Sequence, residues 1–408
     1  MKHVIIGASA AGMSAAATIR KLRADDEIVV ISSDDAIHSR CMLHKFISGE
    51  RDEAGLSFIP DKFFTDNNIR WLSGVTVTGL DTQNKVAFYD GGQESYDRLL
   101  IATGTENILP PGVACGADVL ALRNLCDAKA IRERAATSQN IVIIGAGLVG
   151  LDIAYALLEM GKKPIVVDKA DSILPANLDK RAASVYQSKF EEAGCSFRLG
   201  VNSTEIVCDG GGVVTAVAVD GAENLPCDLV ISATGVRPAV GFLESASGII
   251  CVAGVVVNKY LATGAPGVYA AGDVTGLSNN WPNAVNQGKV AAFNMCDVPT
   301  VYDDMFALKN TINFFDVLTL SVGQFNPSAG DVEHCREDRA RYEKVVMRGG
   351  VPVGVIRQGD ISHSGFWQHL VKNEMNVAGI PLPVWKLSFA DYFGIDSKGE
   401  YKWAAAPV

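Results

Sequence analysis

No two of the nine cysteines in this 408-residue chain (41, 115, 126, 195, 208, 227, 251, 296 and 335) are spaced CxxC, so neither a zinc site nor an iron–sulfur cluster motif can be read from them. An odd, scattered set fits a reducing cytoplasm, with most thiols acting as small buried hydrophobes. Basic excess is missing as well. Lys and Arg total 36 against 46 Asp and Glu, and the net charge of -10 argues against nucleic-acid binding, which needs a basic face. Such a surface suits solubility, or docking on a basic protein. No apolar run approaches the ~20 residues that span a bilayer. Met1-Lys2-His3 passes directly into a strand pattern, leaving no room for a signal peptide. The length exceeds one ordinary core, so two or three domains are expected.

What the chain does have is glycine at two ordered turns. Val4-Ile5-Ile6-Gly7-Ala8-Ser9-Ala10-Ala11-Gly12 and Ile141-Val142-Ile143-Ile144-Gly145-Ala146-Gly147-Leu148-Val149-Gly150 each follow an apolar strand-like run and open a helix-like stretch. A turn of this kind lets the backbone approach a pyrophosphate and aims helix N–H groups at its charge. One such turn is weak evidence; two, each followed by an acidic residue, imply two dinucleotides in one chain. A flavin that stays bound and a nicotinamide that exchanges form the economical pair. After the first turn, the strand pattern at 27–31 ends in Ser32-Ser33-Asp34, which makes Asp34 a ribose-binding candidate. After the second, Pro164-Ile165-Val166-Val167 ends in Asp168, 168 − 145 = 23 positions beyond Gly145. A carboxylate there accepts the ribose hydroxyls and repels a 2′-phosphate, favouring NADH over NADPH. The adjoining Lys169 weakens that preference.

The expected fold class is α/β: two Rossmann-like dinucleotide-binding domains, the second inserted into the first, plus a C-terminal α+β interface domain. Two strand patterns end alike, in Ala102-Thr103-Gly104 and Ala233-Thr234-Gly235, as internal duplicates would. The apolar run at 267–271 then ends in Gly272 and Asp273 and returns the chain to the first domain. The expected boundaries are 1–112 with 245–302, 113–244, and 303–408. Strand patterns at 311–322, 342–347 and 351–358 precede one helix near 366–373.

These motifs together resemble the pyridine nucleotide–disulfide oxidoreductase superfamily, and the likeness runs through the whole chain. Within it, Ser39-Arg40-Cys41-Met42-Leu43-His44-Lys45-Phe46-Ile47-Ser48-Gly49 is similar to the single-cysteine branch of NADH oxidases, NADH peroxidases and coenzyme A-disulfide reductases. The segment Trp281-Pro282-Asn283-Ala284-Val285-Asn286-Gln287-Gly288 is most similar to the nearby NADH:rubredoxin reductases. The resemblance implies FAD and NAD(H) as cofactors, NADPH being the weaker candidate. It implies FAD in 1–112 with 245–302 and NAD(H) in 113–244. Gly7, Ser9 and Gly12 then cradle the FAD pyrophosphate, and Asp273 bonds FAD at its strand end. A helix beginning near Asn283 points its positive end at the flavin. Gly145, Gly147 and Gly150 with Asp168 hold NADH, and Asp152 stands near the nicotinamide as a catalytic candidate. The remaining expected cofactor-binding positions are Ala10, Arg40, Cys41, Lys45, Ala102, Thr103, Gly104, Leu148, Val149, Lys169, Thr234, Gly235, Gly272 and Ala284. The C-terminal domain is expected to make a homodimer, and no metal ligand set is expected.

Two departures narrow the chemistry. Peroxidase and water-forming oxidase members carry a histidine in the first glycine turn, where this chain has Ala10. Relatives with a disulfide-bonded pair need a second cysteine a few residues after Cys41, and there is none. Cys41 therefore has two readings. It is a redox thiol beside the flavin, made a thiolate by Arg40 or Lys45, or a small packing residue over it. The expected activity is electron flow from NADH through FAD to an iron–sulfur protein of the ferredoxin or rubredoxin type. The alternatives are a thiol reductase or NADH oxidase working through Cys41, and a flavin-bearing subunit of a larger complex.

Overall fold

The computed structural model describes residues 1–109, 118–304, 309–378 and 383–403. Cys115 and the expected boundary at 112/113 lie outside the described residues. In chain order, seven α-helices of six or more residues are described: α1 (Ala10–Leu22), α2 (Leu43–Ser48), α3 (Leu125–Thr137), α4 (Leu148–Glu159), α5 (Lys180–Glu192), α6 (Trp281–Met295) and α7 (Ser364–Lys372). None is long and apolar enough to cross a membrane. The chain gathers into two units: Met1–Gly145 with Val149–Val167 and Asn202–Ala307, and Ala146–Leu148 with Asp168–Val201 and Leu308–Val408.

The first unit is built from short, continuous β-branched runs, the pattern of parallel strands buried on both faces. Five of them form a parallel sheet in the order Val268–Ala270, Arg98–Ile101, Lys2–Ile6, Glu27–Ser32, Ile69–Ser73. On one face α1 and α6 bury Ala11, Ala15, Ala16, Ala291 and Ala292 against Ile5, Val30 and Leu100. Small residues let these helices lie close. On the other face Val4, Ile6, Leu99 and Ile101 pack with Leu80 and Ala87 of a small antiparallel sheet and with Tyr96 just beyond it. A second parallel sheet runs Val119–Ala121, Leu229–Ser232, Ile141–Ile144, Ile165–Asp168. It lies in sequence between Arg98–Ile101 and Val268–Ala270, which pair with each other. The second nucleotide fold is thus inserted into the first, and the α/β class with two Rossmann-like sheets is what the chain adopts.

In the second unit five antiparallel strands run Lys309–Phe314, Val317–Gly323, Val351–Gln358, Tyr342–Arg348, Val332–Glu337. The run expected as one strand over 311–322 is a hairpin, because Phe315 and Asp316 take φ of 52° and 59° and turn the chain. Two successive positive φ values suit the twist of a two-residue loop, which glycine or asparagine ordinarily signals. Helix α5 belongs here too. Tyr186 is fully buried, and its hydroxyl donates to the Val317 carbonyl at 2.7 Å. The Tyr342 hydroxyl likewise donates to Asp179, the N-cap of α5, at 2.7 Å. This packing places 168–201 with the C-terminal sheet.

Candidate functional site

Both glycine turns are shaped by the same close approach. Gly7 has φ of 110°, and a Cβ there would lie 2.2 Å from the carbonyl oxygen of Ala102. Gly145 has φ of 117°, and its Cβ would lie 2.3 Å from the carbonyl oxygen of Ala233. The third glycine of each turn meets the first: a Cβ on Gly12 or Gly150 would come within 1.9 Å of the Gly7 or Gly145 carbonyl oxygen. Each Ala-Thr-Gly strand end is therefore the wall against which its glycine turn is pressed. No side chain is tolerated at either meeting point.

What the first turn presents is a helix start with its amides uncapped by side chains. Asn124, Asp179 and Asn280 accept backbone N–H bonds at the starts of α3, α5 and α6. At the start of α1, Ser9 makes no such bond, and the first turn holds no acidic residue. Uncapped N–H groups and the helix dipole fit a pyrophosphate at that position. Ala10, the first helical residue, is buried. In the second turn the middle glycine, Gly147, has no heavy atom within 4 Å of where a Cβ would be. That open space is what a dinucleotide backbone needs. The Asp168 carboxylate accepts N–H bonds from Ala146 at 2.5 Å and Ala170 at 2.7 Å, so it ties its strand end to the turn. Val149 and Lys169 are exposed, and Leu148 is half-buried. The Thr103 hydroxyl donates to the Ala239 carbonyl and the Thr234 hydroxyl to the Ile108 carbonyl, while Gly104 and Gly235 take positive φ.

At the end of Val268–Ala270, Gly272 turns with φ of 84°, and its N–H donates to Gln287 Oε1 at 2.7 Å. Gln287 is fully buried; its amide also donates to Ser278 and Tyr302. It pins this strand end to α6. Helix α6 begins at Trp281, two residues before Asn283. Asn283 is fully buried, and its amide donates to the Tyr302 hydroxyl and the Asp304 carbonyl. That side chain braces the helix from inside, beside buried Ala284.

Charged groups converge within this first unit. Asp34 pairs with Arg40 at 2.8 Å and Asp273 with Arg123 at 3.4 Å. Lys45 is turned to Glu50 at 2.6 Å. Cys41 sits in a turn of 3-10 helix, Arg40–Met42, that leads into α2. Its thiol is exposed, yet crowding by protein pushes its pKa up, and the carboxylates of Asp152 and Asp273 push it further. Arg123 and Arg40 pull the thiol the other way, less strongly, and Arg40 and Lys45 are each paired with a carboxylate. Asp152, on α4, is raised by burial to about 7, and its carboxyl lies 3.8 Å from Nδ1 of His44 on α2. Burial lowers His44 to about 4. Arg123 and Gln287 escaped the sequence reading, because a lone arginine or glutamine has no spacing that marks it. Among the described residues no cluster of His, Cys, Asp and Glu is arranged to hold a metal ion.

Two dinucleotide cradles on inserted parallel sheets, with a cysteine and a raised carboxyl in the unit that holds the first, define a flavin- and nicotinamide-dependent oxidoreductase. Residues 1–288 match the pyridine nucleotide-disulphide oxidoreductase family, and the chain belongs to it. FAD and NAD(H) are its cofactors. An NADH oxidase of Methanocaldococcus jannaschii is 35% identical over 319 residues, 73% of this chain and 70% of that protein. The epsilon subunit of an NADH-dependent phenylglyoxylate dehydrogenase of Aromatoleum evansii is 29% identical, over 91% of each chain. A Bacillus subtilis nitrite reductase is 28% identical over 92% of this chain, which spans only 48% of that protein's length. The solved structure of a ferredoxin reductase from Rhodopseudomonas palustris superposes with a TM-score of 0.79 at 26% identity, covering 90% of this chain and 93% of that one.

Proposed function

We propose that the chain carries electrons from NADH through FAD to an iron–sulfur protein of the ferredoxin or rubredoxin type. One observation carries the choice of acceptor: Arg40 and Lys45 each pair with a carboxylate, and the Cys41 thiol is pushed up by burial and then by Asp152 and Asp273, against a smaller opposing pull from Arg123 and Arg40. The likeness to a ferredoxin reductase points the same way. When bound, FAD converts a two-electron hydride donor into single-electron delivery. The residues arrange the partners of that chemistry. Gly7, Ser9 and Gly12 with the start of α1 hold the FAD pyrophosphate, and Arg123 holds Asp273 in place for FAD. The turn Gly145–Gly150 with Asp168 would hold NADH, and Asp152 is the candidate acid for the nicotinamide end. FAD occupies 1–112 with 245–302, NAD(H) 113–244, and 303–408 pairs two copies in a cytoplasmic homodimer.

The test is Cys41→Ser in the purified holoprotein, assayed by NADH-driven reduction of a ferredoxin and of a rubredoxin. The variant should keep its activity within about twofold. Complete loss, together with a long-wavelength thiolate–flavin absorbance in wild type that the variant lacks, would overturn this reading in favour of a thiol reductase. The match to a dehydrogenase epsilon subunit over 91% of each chain supports a second reading, a flavin-bearing subunit of a larger complex. Co-purification with a partner, and negligible NADH-driven dye reduction by the isolated chain, would favour that one.

A further inference from the structure

The loop 169–178 joins the strand end at Asp168 to helix α5, and it is tied down along its whole length. At its start the Asp168 carboxylate takes the N–H groups of Ala146 and Ala170. Midway, the Leu174 N–H donates to the Ala146 carbonyl at 2.8 Å. Ala146, in the second glycine turn, is thus held on its N–H by Asp168 and on its C=O by the loop. Leu174 is fully buried and takes φ of 53°, a left-handed conformation that leucine adopts only where its surroundings impose it. The Leu178 N–H then donates to the Leu174 carbonyl at 2.9 Å, one residue before Asp179. Asp179 is the anchor at the far end. One of its carboxylate oxygens caps α5 through the Ala182 N–H at 2.9 Å. The other takes the Tyr342 hydroxyl at 2.7 Å and the Lys344 ammonium at 3.2 Å. Asp179 and Lys344 are only 11% and 7% exposed, so solvent screens this ion pair little. Tyr342 and Lys344 stand two apart on the strand Tyr342–Arg348 and so share one face of the C-terminal sheet. All of these residues belong to the second unit.

We propose that the C-terminal sheet sets the preference for NADH over NADPH, with Tyr342 and Lys344 as positioning residues that act on the nucleotide site through Asp179. This rests on the reading above that the second turn and Asp168 hold NADH. The two side chains fix Asp179, Asp179 fixes the end of the loop, and the loop keeps Leu174 in its imposed conformation against Ala146. Asp168 and Ala146 then stay in the one arrangement in which the carboxylate meets the ribose hydroxyls and repels a 2′-phosphate. Removing the Tyr342 hydroxyl or the Asp179 charge releases the loop end. Leu174 can then leave positive φ, Ala146 loses its second tie, and the Asp168 carboxylate is no longer held where it discriminates.

The test is calorimetric titration of the oxidised holoprotein with NAD⁺ and with NADP⁺, beside hydrogen exchange over 169–178. Tyr342→Phe keeps the ring and removes only the donor. Asp179→Asn keeps a helix cap and breaks the ion pair, and either variant decides the matter should the other fail to fold. Each should raise the Kd for NAD⁺ about fivefold, leave that for NADP⁺ within about twofold, and speed exchange at Leu174 with flavin content unchanged. Thr319→Val separates positioning from packing. It removes the Tyr186 and Gln358 bonds to the Thr319 hydroxyl in the same sheet, so it should lower the melting temperature without moving either Kd. An unchanged ratio of the two Kd values in either folded variant, or an equal change in Thr319→Val, overturns the proposal. Gly147→Ala with an unaltered Kd for NAD⁺ would instead overturn the placement of the nucleotide at the second turn.

Discussion

Replacing Gly288 by alanine pushes a methyl group into the backbone of α1. A Cβ at this position on α6 would lie 2.2 Å from the Ala11 carbonyl oxygen and 2.9 Å from both Ala11 C and Cα. All three are backbone atoms, so no rotamer change relieves the overlap. Bringing the closest distance to 3.4 Å requires 3.4 − 2.2 = 1.2 Å of separation between two helices that are otherwise joined by small residues. Overpacking of this kind costs about 1–3 kcal/mol, and a backbone-on-backbone clash belongs at the upper end. At about 2–4 °C per kcal/mol, about 3 kcal/mol lowers the melting temperature by about 6–12 °C. Both helices also serve the proposed FAD site: α1 starts at the first glycine turn, and α6 holds Gly272 through Gln287. Flavin loss should therefore accompany the destabilisation. Thermal unfolding and the flavin-to-protein absorbance ratio after gel filtration measure both. Gly241→Ala is the control, because no heavy atom lies within 4 Å of its Cβ position. A Gly288→Ala protein with full flavin and a melting temperature within about 1 °C of wild type would refute the claim that this crossing is set by the glycine.

Gly147→Ala should act in the opposite way. Its Cβ meets only open space, so folding and flavin content stay normal while the KM for NADH rises at least about tenfold; an unchanged KM would remove the second turn from the nicotinamide site. Gln287→Leu strands the buried N–H of Gly272 and removes a donor from Ser278 and Tyr302, at a cost of about 2–4 kcal/mol, read as a lower melting temperature and faster flavin release. Asp152 gives a pH signature. Its folded value of about 7 exceeds the ordinary 3.8, so between these values the folded chain binds more protons than the unfolded one. The stability this carboxyl contributes is complete below about pH 4 and is lost as pH rises through 7. Asp152→Asn should flatten that part of the melting-temperature profile, and parallel profiles for variant and wild type would contradict the raised carboxyl.

The parts legible in sequence were those where the backbone itself is the constraint. Gly7, Gly12, Gly145 and Gly150 are glycine because a carbonyl oxygen lies within 1.9–2.3 Å of each missing Cβ, and such a requirement recurs with fixed spacing. The matching Ala-Thr-Gly ends are legible for the same reason, being the walls those glycines press against. Ion pairs and buried amides follow no such rule. The Arg123–Asp273 pair joins residues 150 positions apart, and Gln287 reaches Gly272 across 15. The hairpin at Phe315-Asp316 hid because Phe315, at the first positive-φ position, is not a residue that marks one, although Asp316 is. Cys41 shows most clearly where spacing stops being informative. Arg40 and Lys45 stand one and four positions from it, and proximity in sequence made them its natural activators. In the fold each pairs with its own carboxylate, and the thiol is pushed up by burial and then by Asp152 and Asp273, distant in sequence, with Arg123 and Arg40 pulling the other way. Whether the thiol works is decided by groups that only the folded chain brings to it, which is why the electron-transfer reading rests on them.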